Sequence, residues 1–495
     1  ADKVVVDSLS IRADEPAVRW ESDGTTGYSL GDSDKETRGT RIILFIREDA
    51  HEFVDQYRLQ AIAQKHSSFI QWPILMGEER INEEKALWAR NPSDITEEEY
   101  NEFYKHITGD WQDPMAYVHF NVEGAITFNA VLFIPQKHSM QLENMNYKVD
   151  LRLYQKRVQV IEHANDLLPQ YLRFVCGVVD SPDVELNVSR EMLQHSSTLQ
   201  SIETNFVKKA IELFDNIADD EHKMKIFYNN YAKNIKLGIN KKNKHSQKLL
   251  KYLRYYTNTS GSNYRSLDEY IDNTKYGQKE IYFITGNSIE QIIKSPYLEK
   301  FNDKGMEVIY MPDPVDECMM QYLKQYRGYN FVSICKEKVG IEKIDKKTYK
   351  NYQHLCDIMV DILGGRVEKV VISNRIVQTP ACLVASEKGW SANMERIMSA
   401  QALRGGNQIE FNKTKKILEI NPYHPIIMNM KETLDNSDKQ NIVSIVHLIY
   451  DLSCFHSGYQ LDNAAEFSEK MYNMIELGLG LNREDETEEE KTNVL

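Results

Sequence analysis

The residues best placed to do chemistry are Asn187, Arg190 and Gln194, in the run Asn187-Val188-Ser189-Arg190-Glu191-Met192-Leu193-Gln194. Their spacing puts three long polar side chains on one face of a helix that Ser189 can cap. Two readings fit this pattern: a capped helix start with exposed polar groups, or an arginine held out for an anion. Generic catalytic signatures are absent from the sequence, with no G-x-x-x-x-G-K-[ST], no G-x-S-x-G, no H-E-x-x-H and no calcium-binding loop. Cys176, Cys318, Cys335, Cys356, Cys382 and Cys454 lie far apart, without Cys-x-x-Cys or a His at ligand spacing. They read as buried thiols, and no metal site is expected.

Those residues need elements to hold them, and the 495-residue chain is long enough for about three domains. Hydrophobic residues at 41% and charged residues at 27% fit a globular α/β protein, and no apolar run reaches the roughly 18 residues of a membrane span. Membrane insertion is therefore not expected. A net charge of -14 repels phosphate backbones, so nucleic acid is not an expected partner, and Lys241-Lys242-Asn243-Lys244 reads as solvated helix surface.

Short apolar bursts broken by Gly, Asp and Ser over residues 1–46 predict an antiparallel meander. A helix is expected over 52–66, an extended piece over 69–75 and a domain boundary after 76. Strands return at 117–132, a long helix follows over 191–217, and strands and helices alternate as βαβ units over 249–339. The Lys-rich stretch 342–350 reads as the second boundary. Ile442, Ile445, Val446, Ile449 and Leu452, then Phe467, Met471, Met474 and Leu477, mark two amphipathic helices. The acidic run 484–490 reads as a disordered tail.

Long strings then carry a family resemblance. They are Gly177-Val178-Val179-Asp180-Ser181 leading to Leu186-Asn187-Val188-Ser189-Arg190-Glu191-Met192-Leu193-Gln194, then Asn234-Ile235-Lys236-Leu237-Gly238 and Leu253-Arg254-Tyr255-Tyr256. Val367-Glu368-Lys369-Val370-Val371-Ile372-Ser373, Gly389-Trp390-Ser391-Ala392-Asn393-Met394-Glu395-Arg396-Ile397-Met398 and Leu418-Glu419-Ile420-Asn421-Pro422 follow. From Ala1 to about Leu481 the sequence resembles the heat-shock protein 90 family of chaperones. The resemblance implies an α/β, α+β multidomain protomer. Residues 1–76 would be the remainder of a Bergerat-type ATP-binding domain, 77–340 an α/β middle domain, 341–481 a mainly helical C-terminal dimerisation domain and 482–495 the tail.

It also implies an ATP hydrolase with Mg2+, acting as a homodimer on unfolded or partly folded client proteins, with co-chaperones as further partners. The family's general base and adenine-reading Asp match positions upstream of Ala1, so the chain as given is expected to hydrolyse no ATP by itself. Gly39 and Thr40 match nucleotide contacts. Arg190, with Asn187 and Gln194, would reach the γ-phosphate, for which a planar fork of donors suits a developing negative charge. Trp88, Trp390, Met394 and Met398 match client contacts and are expected to be exposed apolar side chains. Cys382-Leu383-Val384-Ala385-Ser386 and Asn421-Pro422-Tyr423-His424-Pro425 are spelled like the endoplasmic-reticulum branch, with the cytoplasm as the alternative. A holdase that works without a nucleotide cycle is the competing function if residues 1–495 are the whole protein.

Overall fold

The computed structural model describes all residues except 13, 26, 83–85, 138–147, 185–196, 242, 338, 342–343, 401–415, 436–438, 462 and 480–495. The acidic tail and the Asn187–Gln194 run therefore lie outside the described residues. The chain divides into two compact units, Ala1–Asp220 and Glu221–Leu495.

The first unit opens with strands β1 (Lys3–Leu9), β2 (Val18–Ser22), β3 (Ser29–Asp32) and β4 (Gly39–Phe45). Their order is β3-β2-β1-β4. The expected meander holds for β1 to β3, but β4 returns to pair with β1, setting Ile42 and Leu44 beside Val6 and Val4. Apolar cross-strand neighbours favour that pairing over one with the polar β3. Alternation along the strands splits the sheet into two unlike faces. One carries Asp7 between Arg19 and Arg41. The other carries Val4, Val6, Trp20, Ile42, Leu44 and Thr40, and on it Ile42 is 62% exposed.

The helix expected over 52–66 starts later, at Gln56–Ser67, because Asp55 is its cap and accepts from Tyr57 N at 2.9 Å. The expected extended piece makes no ladder until β5 (Leu75–Met76) meets β6 (Glu79–Arg80). Asn82 supplies the partners instead. Its side chain accepts from Ile74 N and donates to Ile70 O and Trp72 O.

Strands β7 (Ala116–Val122), β8 (Phe128–Ile134), β9 (Leu151–Gln155), β10 (Val158–Ile161) and β11 (Cys176–Asp180) form a second sheet ordered β10-β9-β11-β8-β7. Strand β11 lies in the middle, parallel to β9 and antiparallel to β8. Gly177 there has φ +143°, and a Cβ would sit 2.1 Å from Val131 O, so only glycine fits. The helix Glu97–Thr108, opened by a Thr96/Glu99 capping box, covers this sheet with Phe103 and Tyr104. The helix Ser197–Ala218 brings Phe206 edge-on to Phe120 and Phe128.

In the second unit, β12 (Arg254–Thr257), β13 (Arg265–Ser266), β14 (Glu280–Thr285), β15 (Ile309–Met311), β16 (Gln325–Tyr326) and β17 (Tyr329–Ser333) follow the helix Glu221–Gly238. Strand β14 is parallel to both β15 and β17, the geometry that βαβ connections produce. Beyond them β18 (Val367–Ile372), β20 (Lys416–Ile420) and β19 (Ala381–Val384) pair in that order. The Lys-rich stretch read as a boundary ends in the helix Lys346–Leu363, whose exposed first turn carries the lysines and whose Leu355, Met359 and Leu363 are buried. A single hydrophobic cluster joins Tyr282, Phe301 and Ile334 to Cys382, Val384 and Ile417. Five of the cysteines are buried as expected, but Cys318 is exposed, pointing outward from the helix Pro314–Tyr322.

Candidate functional site

In the second unit a cleft of about 620 Å³ is lined by Phe283, Phe331, Met320 and Leu323 on one side and by Gly389, Trp390, Ser391 and Met394 on the other. Two helices frame it. Pro314 opens the helix Pro314–Tyr322 behind an Asp313/Asp316 capping box. That end is pinned by Lys236, which is 3% exposed and donates to Asp313 Oδ2 at 2.5 Å and Asp316 Oδ2 at 3.0 Å. The Tyr255 hydroxyl donates to Asp316 Oδ1 at 3.1 Å. Burial opposes the charge on Lys236, yet Tyr228, Asp316 and Asp313 hold its pKa above the usual lysine value.

The second frame is the helix Ala392–Ala400. Ser391 starts it, accepting from Met394 N at 3.1 Å while its hydroxyl donates to Glu317 Oε1 at 2.6 Å. The two walls are thus tied together directly. Trp390 is half-buried and Met394 is 8% exposed, so the cleft presents apolar surface without leaving it fully open to water. Lys324, Lys336 and Lys388 stand around it, with Glu317 and Glu387. Lys336 donates to Glu387 O at 3.2 Å, and burial lowers its pKa.

Trp390 and Met394 both line this cleft, but Met394 is buried against its floor rather than exposed as expected. Met398 sits one turn further along the same helix, half-buried, and does not line the cleft. Trp88 is a correction. It is 1% exposed, in the first unit, and its indole N–H donates to Asp180 Oδ2 at 3.0 Å within a cluster of Phe69, Phe103 and Tyr154. A tryptophan this large, with its one polar atom satisfied inside, is core and offers nothing to a client.

Gly39 and Thr40 lie exposed on β4, with Thr40 Oγ1 3.4 Å from Ser8 Oγ. Arg190, Asn187 and Gln194 lie outside the described residues, but the segment that leads to them is described. Asp180 accepts from Trp88 Nε1 and from Arg157 N at 3.0 Å, Ser181 Oγ donates to Thr127 O, and Gln155 Nε2 donates to Val184 O. The approach to that run is firmly held.

Sequence reading missed Phe283, Met320, Phe331 and the three lysines. Phe283 and Phe331 sit in strands whose alternation signals only burial, while the doublet Met319-Met320 was the one available sign, with Met319 buried and Met320 turned to the cleft.

Comparison with known proteins supplies the remaining finding. The family model described as Hsp90 protein matches residues 75–494. Heat shock protein 83 of Leishmania donovani is 39% identical over 416 residues, covering 82% of this chain and 92% of that protein. The Endoplasmin homolog of Arabidopsis thaliana is 34% identical over 573 residues, covering 98% of this chain and 70% of that protein. Chaperone protein HtpG of Nitrosospira multiformis is 34% identical over 497 residues, covering 94% and 76% respectively.

Proposed function

The chain belongs to the Hsp90 family of molecular chaperones, and from that premise we propose that it binds unfolded or partly folded client proteins and matures them through an ATP-dependent, dimeric clamp cycle. The cleft carries this reading. A wall of Trp390, Met394, Met320, Phe283 and Phe331 gives apolar, adaptable contact to chains that share no sequence. Side chains on rigid frames, tied through Ser391 and Glu317, keep that surface from collapsing into the core.

In this reading residues 1–76 belong to the nucleotide domain, 77–340 to the middle domain and 341–481 to the dimerisation domain, followed by the tail. On the sheet face that bears Thr40, Ile42 and Leu44 are exposed, which suits a surface that further nucleotide-domain structure covers. ATP and Mg2+ would be held there chiefly by upstream residues, with Arg190, Asn187 and Gln194 reaching the γ-phosphate. The homodimer would form through residues 440–481. We propose the endoplasmic-reticulum lumen as its compartment, on the local spelling of residues 382–386 and 421–425.

The test uses a parent chain with a whole nucleotide domain and an aggregation-prone unfolded enzyme as client. Trp390→Ala together with Met394→Ala should abolish suppression of aggregation and leave ATP turnover nearly intact. Undiminished suppression would show that clients bind elsewhere. Client capture and release that ignore ATP would establish the holdase instead.

A further inference from the structure

We propose that the cleft selects client segments in which a bulky apolar side chain is flanked by carboxylates. The inference rests on the client-site reading above and adds the charge of the ligand. The chain as a whole carries -14, so a region where cations outnumber anions runs against the average surface. Around the cleft stand three ammonium groups, Lys324, Lys336 and Lys388, against two carboxylates, Glu317 and Glu387.

Lys324 and Lys388 are exposed, while Lys336 is half-buried and is attracted by Glu317 and Glu387. Among the described residues none of the three lies in an ion pair, and the side chain of Lys336 has a carbonyl oxygen, Glu387 O, as its hydrogen-bond acceptor. Glu317, by contrast, is occupied by the Ser391 hydroxyl at 2.6 Å. Elsewhere in the unit comparable cations are paired, as Lys369 is with Glu337 at 2.9 Å and Arg327 with Asp268 at 3.0 Å.

The geometry divides the work between floor and rim. Phe283, Leu323 and Met394 are buried at the floor, while Lys324 and Lys388 are exposed. An apolar anchor entering the floor would bring its neighbours along the peptide to the rim, where carboxylates meet ammonium groups and basic residues are repelled. Such rim charges set specificity and encounter rate more than raw affinity.

The experiment measures binding of two synthetic peptides to the full chain by fluorescence polarisation. Both share one apolar core; one is flanked by Asp and Glu, the other by Lys and Arg. The acidic peptide should bind tighter by roughly tenfold at low salt, the sum expected of a few exposed ion pairs, and the ratio should shrink towards one near ~1 M salt. Lys324→Glu with Lys388→Glu, both exposed and remote from the core, should reverse the order. Equal affinities, or a preference that survives the reversal, would overturn the proposal. Binding that appears only after removal of residues 482–495 would assign the rim to the chain's own acidic tail and overturn it too. Trp390→Ala separates the two levels. If it leaves both peptides bound, the client-site reading fails; if it weakens both while charge reversal changes nothing, the charge selection alone fails.

Discussion

The guanidinium of Arg375 meets the carboxylate of Glu419 twice inside the protein, Nε to Oε2 at 2.9 Å and Nη2 to Oε1 at 2.8 Å, with the two residues 1% and 5% exposed. The remaining donor, Nη1, reaches Ile334 O at 2.6 Å and Lys336 O at 2.9 Å, just past the end of β17. One side chain therefore fastens the β18–β20 sheet to the preceding sheet. Removing it leaves a buried carboxylate whose remaining hydrogen bond comes from the Ser373 hydroxyl at 2.8 Å. Arg375→Ala should cost about 3–5 kcal/mol in urea unfolding, whereas Arg375→Met combined with Glu419→Leu should recover most of the loss. A single variant as stable as the parent would show that Glu419 finds another partner.

What the sequence made legible follows from where its signals are local. Apolar periodicity placed the helices Lys439–His456 and Ala464–Gly478, alternation placed β7 and an apolar run placed β8. Pairings between distant segments were harder to read: the local pattern of residues 1–46 predicts a simple meander, and only the match of Ile42 and Leu44 to Val6 and Val4 draws β4 back to β1. The same holds for function. Trp88 and Trp390 look alike as letters, and only burial, 1% for Trp88 against half-burial for Trp390, separates core from cleft. The lysines around the cleft come from three stretches of chain that only the fold brings together.

Asp7 gives a pH prediction. Hydrogen bonds from Arg19, Arg41 and Ser33, each 2.8 Å at the shortest, hold its pKa well below the usual carboxylate range. A depressed folded-state pKa contributes stability that is complete above about 3.9, the unfolded value, and is lost as pH falls through the folded one. Asp7→Asn should therefore lower stability at neutral pH while flattening its decline below about pH 4. The measurement is unfolding by urea at a series of pH values. Parallel curves for the two chains would show that Asp7 does not drive the acid sensitivity.

Gly177 tests the second sheet. Its φ of +143° and the 2.1 Å approach of Val131 O leave no room for a methyl group on the central strand. Gly177→Ala should destabilise by about 3 kcal/mol or more, because both backbone strain and a steric clash act at one point. Thermal unfolding of that variant close to the parent's would mean that β11 shifts without cost.

The terminal helices carry the proposed dimer face. Phe455 is 72% exposed, Tyr472 65%, Ile475 53% and Leu479 69%, while Ile442, Val446, Ile449 and Tyr450 on the same hairpin are core. Truncation from position 441 would remove that core along with the face. Phe455→Asp with Ile475→Asp spares it, and should convert dimers to monomers at micromolar concentration in sedimentation. Dimers that persist would place the interface elsewhere.

Arg190 is tested in a parent chain that carries a whole nucleotide domain. Upstream of it among the described residues, Asp180 accepts from Arg157 N and Ser181 donates to Thr127 O. If the arginine contacts the γ-phosphate chiefly as closure completes, Arg190→Ala should reduce turnover while nucleotide affinity stays nearly unchanged. Arginines of this kind contribute on the order of a thousandfold in other phosphoryl-transfer enzymes. A smaller loss, roughly ten- to a hundredfold, is expected where closure rather than chemistry limits the cycle. Arg190→Lys should rescue poorly, because a point charge does not reproduce the planar fork. Full activity in Arg190→Ala, or an equal loss of binding and turnover, would return Arg190 to the capped-helix reading.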